Sequence, residues 1–318
     1  MADLLSIETH LNGRIHAGRR MSLDYWLHPK LDVIVPTADQ SKFPASESIP
    51  RNRQATGWGD SIRFIVVEAS GPDFSFARSI NFGLKQTRRD VSVLLLNDDC
   101  FLDDHWLLPT LSAVRSHPDA IIGGLLRFPN QIDGNGNVWS GRKALNHIGG
   151  EYQHAGGFIP TTIRENVSAM FRFAIWHAAP LWVLRQIPAV VKGDGFRFPG
   201  HFHSLKPSHR INLVTAAAMI LTPEAREIVG PFDEDFPLGF EDTDYCLRAL
   251  EADFEMCLAT DLSGFHFESL TTRHLEDRKR ESYQVFAKKW PTSRIKKAVG
   301  KKRGIVHPDF CECGAWVE

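Results

Sequence analysis

The sequence predicts an α/β fold, with a mainly parallel central sheet and helices on both of its faces. Apolar, β-branched runs of strand length alternate with segments whose apolar residues have helical spacing. The alternation recurs at short intervals between residues 31 and 126. Strands that are joined through helices usually run parallel, and the joining helices cover the two faces of their sheet. We therefore expect one large α/β sheet.

The first part of the chain gives the clearer elements. The run 31–36 is closed by a proline and is predicted to be a buried strand. Further strands are predicted at 62–68, 91–96 and 120–126, and helices at 74–89 and 103–116. The segment 41–60 is rich in Ser, Pro, Arg and Gly, which is typical of a loop or a weak helix. Ligands of such sheets gather at the carboxyl ends of the strands.

The second part is less regular. Residues 130–157 are glycine-rich and predict short strands and turns, and 158–210 is interpreted as an inserted or variable region. A compact strand at 214–221 precedes Thr222-Pro223-Glu224, where a capping residue followed by proline predicts a helix start. The remaining elements are predicted as a helix at 239–254, strands at 255–259 and 263–267, and a polar helix at 273–290, before a basic segment at 294–303.

Composition limits the classes of function. The 37 Lys and Arg nearly balance the 38 Asp and Glu, so no overall charge favours nucleic acid or a membrane surface. The five cysteines are odd in number and lack a framework spacing, which favours a reducing, cytoplasmic compartment. No signal peptide is predicted at the N-terminus. The most apolar long stretch, 169–191, contains charged residues and two prolines, so no transmembrane segment is predicted.

Two acidic clusters carry the chemistry. The first, Asn97-Asp98-Asp99, follows directly on the apolar run that ends at Leu96. Carboxylates at the end of a buried strand are hard oxygen ligands suited to Mg²⁺ or Mn²⁺, and such a cation keeps open positions for substrate phosphates. The second cluster, 239–244, offers a carboxylate at a helix start that can serve as a general base. Together they suggest transfer of a group from a nucleotide-activated donor.

Each signal also has a simpler interpretation. Asn97-Asp98-Asp99 is compatible with a turn and a helix cap, since Asn and Asp favour turns. The carboxylates at 241, 242 and 244 are compatible with a solvated first turn of a helix. A single histidine such as His266 is also compatible with a structural role.

The motifs, in their order and spacing, resemble those of the family 2 glycosyltransferases, including rhamnosyltransferase-like members. They are Ile34-Val35-Pro36-Thr37, Val66-Val67-Glu68, the segment 74–81, Leu96-Asn97-Asp98-Asp99, Gly230-Pro231-Phe232-Asp233 and the segment 240–248. The likeness extends to Phe265-His266 and to Phe286-Ala287-Lys288-Lys289-Trp290. It covers about residues 31–290. It leaves an N-terminal extension, 1–30, and a basic C-terminal tail, 291–318.

The resemblance implies a GT-A fold, with a nucleotide-sugar-binding half at 31–130 and an acceptor-binding half at 131–290. It implies inverting transfer from a nucleotide-diphosphate sugar to a hydroxyl of a glycan or another acceptor, assisted by Mn²⁺ or Mg²⁺. Carried over to this sequence, Pro36, Thr37 and Glu68 would line the nucleoside pocket, with Glu68 standing where the family usually has aspartate. Asn97, Asp98 and Asp99 would form the metal motif, with Asp99 as the direct ligand. His266 would complete the metal site, and Asp242 would be the catalytic base.

Other classes stay open on the sequence alone. The chain is also compatible with a catalytically inactive nucleotide-sugar-binding module. A third reading is a glycosyltransferase that modifies nucleic acid, with lysines 296, 297, 301 and 302 contacting phosphates. Zinc sites are not favoured, because the histidines 201, 203 and 209 lack a ligand spacing and the group His307, Cys311 and Cys313 offers only three ligands.

Overall fold

The structure is a computed structural model that describes residues 30–56, 62–71, 74–127, 131–132, 138–139, 213–267, 276–300 and 305–307. The described strands are β1 (Leu31–Thr37), β2 (Ile62–Glu68), β3 (Val93–Leu96), β4 (Cys100–Leu102), β5 (Ala120–Arg127), β6 (Gln131–Ile132), β7 (Val138–Trp139), β8 (Ala218–Leu221), β9 (Glu255–His266) and β10 (Ile305–His307). The described helices are α1 (Ala45–Gln54), α2 (Phe76–Leu84), α3 (Leu107–Ser116), α4 (Pro223–Val229), α5 (Glu241–Glu251), α6 (Glu276–Lys289) and α7 (Thr292–Val299).

Eight of these strands form one mixed sheet in the order β10-β9-β5-β8-β3-β1-β2, with β4 paired to β9 beside this path. Strand β1 is parallel to β2 and to β3, and β9 is parallel to β5 and to β10. Strand β8 runs antiparallel between β3 and β5. The prediction of an α/β fold with a mainly parallel sheet is therefore confirmed.

The two faces of the sheet are covered by different helices. Along β1, the side chains of Leu31, Val33 and Val35 pack with residues of α1 and α3. Ile34 points to the other face and packs with residues of α2, α4, α5 and α7. This alternation follows from the two-residue period of a strand. The prediction that helices cover both faces is confirmed as well.

Helix α1 lies in the segment 41–60, for which a loop or a weak helix was predicted, and it has Pro50 in its interior. Other elements differ from the sequence prediction. The short strand β4 was not predicted, and the two strands predicted at 255–259 and 263–267 form one strand, β9, that pairs with both β5 and β4. Strand β8 begins at Ala218 rather than at residue 214.

The basic segment after residue 290 contains helix α7, which packs against α5 and buries Ile295, Ala298 and Val299 in the core. Its lysines at 296 and 297 are exposed. The sheet takes strands from both predicted halves, 31–130 and 131–290, while the domain limits themselves stay predictions.

Some predictions lie outside the described residues. These are the N-terminal extension to residue 29, the region 158–210 with its histidines and the apolar stretch 169–191, the lysines 301 and 302, and Cys311 and Cys313. Within the part of the chain that is described, no helix is both long and apolar enough to cross a membrane.

Candidate active site

The first acidic cluster lies in a tight turn between β3 and β4. The N–H of Cys100 donates to the carbonyl of Asn97 over 3.1 Å, which reverses the chain directly after β3. Strand β4 then pairs antiparallel with the end of β9, so that Cys100 lies opposite His266. The N–H of Phe267 donates to the carbonyl of Asp99 over 3.1 Å. Backbone pairing thus brings His266 beside Asp99, although 167 positions separate them in the sequence.

Asn97, Asp99 and His266 converge on one point. Nε2 of His266 lies 2.9 Å from Oδ1 of Asp99 and 3.3 Å from Nδ2 of Asn97. Asp99 and His266 are buried, with 6% and 3% of their surfaces exposed. The 2.9 Å contact does not have hydrogen-bond geometry, and no donor among the described residues reaches Oδ1 of Asp99 or Oδ1 of Asn97. Two buried oxygens therefore lack the partner that such atoms normally have.

These residues fit a divalent cation. Carboxylate and amide oxygens are ligands of Mg²⁺ and Mn²⁺, and an imidazole nitrogen is a ligand of transition-metal ions such as Mn²⁺. At metal–ligand distances of about 2.1 Å, adjacent ligands of an octahedral ion lie about 3 Å apart. The separation of 2.9 Å between Nε2 of His266 and Oδ1 of Asp99 agrees with this value. A lone pair and a carboxylate oxygen at that distance otherwise repel each other unless a proton lies between them.

Cys100 lies at the same point and was not predicted. Its Sγ, an oxygen of Asp99 and a ring nitrogen of His266 all lie within 4.8 Å of one another. Burial, together with the charges of Asp99 and Asp98, raises the pKa of the Cys100 thiol well above its ordinary value. The thiol also donates to the carbonyl of Ala217 over 3.3 Å. Because it stays protonated and has an acceptor, Cys100 contributes packing rather than a ligand for a hard cation.

Asp98 connects this cluster to β1. The hydroxyl of Thr37 forms a hydrogen bond with the Asp98 carboxylate. The same hydroxyl accepts a hydrogen bond from the N–H of Asp39 over 3.3 Å. Burial raises the pKa of Asp98 to about 6, and the charge of Asp99 adds to the rise, while the bond from Thr37 and the nearby His266 lower it. A cation beside Asp98 would favour the ionised form of its carboxyl group.

The predicted nucleoside contacts lie at the same edge of the sheet. Thr37 is the register partner of Glu68, at the carboxyl ends of the parallel strands β1 and β2. The Glu68 carboxylate is exposed and accepts from the N–H of Gln40 over 3.1 Å, which ties it to the loop after β1. Pro36 is buried within β1, next to Val67 of β2.

Asp242 reaches this edge through the segment before β8. Its Oδ2 accepts from the N–H of Ala216 over 3.3 Å, and its Oδ1 accepts from the N–H of Thr243 over 2.7 Å. The next residue, Ala217, accepts from the N–H of Asn97 over 3.0 Å. One short peptide segment therefore contacts both acidic clusters. It does so because β8 is antiparallel to β3, so that β8 begins where β3 ends.

The neighbours of Asp242 have different surroundings. Glu241 is buried, and this burial and the charge of Asp242 raise the pKa of Glu241 to about 8. Asp244 is fully buried and is engaged by three donors. Nε of Arg248 lies 2.9 Å from Oδ2, while Nε1 of Trp290 and Nζ of Lys289 lie 2.7 and 2.8 Å from Oδ1. Asp242 alone of the three is partly exposed.

The structure thus brings Thr37, Asn97, Asp98, Asp99 and His266 into one cluster. It places Pro36 and Glu68 beside them at the sheet edge, and Asp242 across the peptide segment at Ala216. Besides Cys100, sequence reasoning did not identify Ser48 and Asn52 of α1, which hydrogen-bond to the backbone of the turn. A polar residue inside a helix gives no sequence signal for such a contact.

Comparison with known proteins gives distant structural similarities. No protein-family profile and no curated protein matches the sequence. The mannosyltransferase PcManGT from Pyrobaculum calidifontis, solved with GDP-Man and Mn²⁺, aligns over 93% of this chain and 75% of its own, with 12% identity and a TM-score of 0.44. TarS (1–349) from S. aureus aligns over 85% of this chain and 69% of its own, with 12% identity and a TM-score of 0.41.

A third structure is the catalytic domain of Drosophila beta1,4-galactosyltransferase 7 in complex with xylobiose. It aligns over 74% of this chain and 67% of its own, with 11% identity and a TM-score of 0.39. Similarity of this size does not assign the chain to a family. An assignment of function therefore rests on the geometry of the site.

Proposed function

We propose that this chain is a metal-dependent inverting glycosyltransferase of the GT-A type, which moves a sugar from a nucleotide-diphosphate donor to an acceptor hydroxyl. One observation carries the proposal. Asn97, Asp99 and His266 converge at the end of β3, and two of their buried oxygens lack a hydrogen-bond donor among the described residues. The order of the sequence motifs, which resembles that of family 2 glycosyltransferases, supports it.

The residues at the sheet edge have separate roles in this proposal. Asp99 and His266 would hold the cation, with Asn97 offering its amide oxygen, and Asp98 would contribute to donor binding. A bound Mn²⁺ or Mg²⁺ supplies Lewis-acid stabilisation of the diphosphate leaving group. Thr37, Glu68 and the backbone at Pro36 lie at the ends of β1 and β2, where the nucleoside binds in folds of this architecture.

Asp242 acts as the general base. The acceptor oxygen attacks the anomeric carbon and forms the new C–O bond, while the bond from that carbon to the phosphate oxygen breaks and its electrons leave with the diphosphate. The acceptor proton moves to the Asp242 carboxylate. The N–H groups of Ala216 and Thr243 orient that carboxylate, and its partly exposed position leaves it accessible to an acceptor. A single displacement of this kind inverts the anomeric centre.

A donor panel tests the proposal. UDP-, GDP-, dTDP- and CDP-sugars are titrated into the protein by calorimetry with Mn²⁺ or Mg²⁺, and slow hydrolysis of each donor is followed in parallel. We expect one nucleotide class to bind in the presence of the metal and to lose that binding in EDTA. His266→Ala should weaken metal-dependent binding while the melting temperature changes little. Absence of binding to every donor, with either metal, would overturn the proposal.

A further inference from the structure

Helix α1 contacts the backbone of the turn that carries Asp99. Asn52 lies in the middle of α1 and is 1% exposed. Its Nδ2 donates to the carbonyl of Cys100 over 2.8 Å, and its Oδ1 accepts from the N–H of Leu102 over 2.9 Å. The side-chain amide therefore pairs with one C=O and one N–H on the edge of β4 that faces away from β9, as a neighbouring strand would.

A second residue of α1 acts one helical turn earlier. The hydroxyl of Ser48, which is also 1% exposed, donates to the carbonyl of Asp98. Residues four apart lie on the same face of a helix, so Ser48 and Asn52 both face the turn. The backbone carbonyl of Asn52 accepts from Nε1 of Trp106 over 2.9 Å, which fixes this part of α1 against the residue before α3.

The turn is thus held from two sides. On one edge, β4 pairs with the end of β9, which carries His266. On the other edge, the side chains of Ser48 and Asn52 satisfy the backbone groups of residues 98, 100 and 102. The turn itself is short, so a shift of β4 relative to β9 changes the distance between Asp99 and His266. Cation affinity depends strongly on such distances.

Resting on the proposed function, we propose that Ser48 and Asn52 are positioning residues that set the affinity of the cation site. They touch neither the cation nor the substrate, and act by holding the Asp98–Leu102 backbone at the separation from His266 that a divalent ion requires. Removal of groups that orient metal ligands typically costs roughly 10- to 100-fold in metal affinity. Ser48→Ala removes one hydrogen bond and little volume. Asn52→Ser keeps a polar side chain but cannot reach both backbone groups.

The experiment compares Mn²⁺ affinity with stability. Binding of Mn²⁺ alone is measured by the loss of the electron paramagnetic resonance signal of the free ion. The measurement is repeated in the presence of the nucleotide diphosphate of the donor that binds in the panel. Thr222→Ala is the matched control, because Thr222 is also buried and caps α4 by accepting from the N–H of Ala225 over 3.2 Å. Thr222 follows the last residue of β8, so it lies at the edge of the sheet opposite the site.

We expect Ser48→Ala and Asn52→Ser to weaken Mn²⁺ binding roughly 10-fold or more. Thr222→Ala should lower the melting temperature about as much as the two α1 substitutions do, and it should leave Mn²⁺ binding unchanged. Normal Mn²⁺ affinity in both folded α1 variants would overturn the inference, as would equal weakening in Thr222→Ala. A wild-type protein that binds no Mn²⁺, with or without nucleotide, would overturn the proposed function and the inference together.

Discussion

Glu241, Asp242 and Asp244 occupy one turn of α5, yet their surroundings give each carboxyl group a different state. Asp244 lies among Arg248, Lys289 and Trp290, and its role is to join α5 to the end of α6. Glu241 is buried and keeps its proton at neutral pH because of its raised pKa. In the proposed function, Asp242 is the carboxylate that accepts the proton of the acceptor hydroxyl.

The base assignment predicts a specific pattern of activity. Asp242→Asn keeps the shape of the side chain and removes its basicity, so turnover should fall by roughly 100-fold or more. Donor and metal binding should persist, which calorimetry checks. Glu241→Gln should remain active, because Glu241 is already neutral at pH 7. Near wild-type turnover in Asp242→Asn, with an inactive Glu241→Gln, would show that the base is Glu241.

The raised pKa of Glu241 also predicts how stability depends on pH. In the unfolded chain, Glu241 releases its proton near its ordinary pKa of 4.5, whereas the folded protein keeps it up to about pH 8. The folded state therefore binds more protons between these values, and its stability falls as pH rises through this window. Each pKa unit corresponds to about 1.4 kcal/mol.

Glu241→Gln removes this titration. The difference in unfolding free energy between Glu241→Gln and the wild type should move in favour of the variant by more than about 1 kcal/mol between pH 5 and pH 8. Urea denaturation at the two pH values measures it. A difference that is constant with pH would show that Glu241 is ionised in the folded protein.

At the scale of elements, the position of β4 determines where the proposed cation site lies. It approaches β9 at Gly264, where an added Cβ would lie 2.5 Å from the carbonyl oxygen of Phe101 and 2.7 Å from the Cα of Leu102. Both of these are backbone atoms, which cannot give way by rotating a side chain. Gly264 therefore allows the pairing that brings Asp99 and His266 together.

Gly264→Ala should displace β4 and weaken Mn²⁺ binding roughly 10-fold or more, by the same distance argument that applies to ligand-orienting groups. Gly83→Ala is the comparison, since its added Cβ would meet only the side chain of Ile34, at 2.6 Å. Gly83→Ala should lower the melting temperature and leave Mn²⁺ affinity intact. Equal Mn²⁺ affinity in the wild type and Gly264→Ala would contradict the account of β4.

Helix α7 gives a second prediction at this scale. Val299 is 1% exposed in the core, whereas Lys296 is exposed on the same helix. Val299→Ala should lower the free energy of unfolding by about 2 kcal/mol. Lys296→Ala should change it by less than about 0.5 kcal/mol. Equal effects of the two substitutions in urea denaturation would show that α7 does not pack on the core.

The sequence predicted the elements whose pattern is local. The apolar run ending at Leu96 predicted a strand followed by carboxylates, and the structure has both. The position of His266 beside Asp99 has no local signal, because it depends on a three-residue strand and its antiparallel partner; only the family resemblance suggested it. Helix α7 was not predicted, because the basic composition of this segment was interpreted as a tail. Its apolar residues 295, 298 and 299 nevertheless have helical spacing.

On the scale of the whole molecule, one sheet edge collects the proposed chemistry. The carboxyl ends of β1, β2 and β3 provide Thr37, Glu68 and Asn97. The antiparallel β8 begins at this edge, and the segment before it contacts both Asn97 and Asp242. In the proposed function, the donor and the base lie on either side of this peptide segment. Cytoplasmic location and the acceptor half of the chain remain predictions from the sequence.

The central claim is that Asp99 holds a divalent cation on which donor binding depends. The most direct measurement is calorimetric titration of the donor found in the panel, with Mn²⁺, into the wild type, Asp99→Ala and Asp104→Ala. Asp104 is an exposed carboxylate five residues away, so its removal changes the same charge outside the cluster. We expect Asp99→Ala to lose metal-dependent binding while it stays folded, and Asp104→Ala to bind as the wild type does. Unchanged donor affinity in Asp99→Ala would contradict the account.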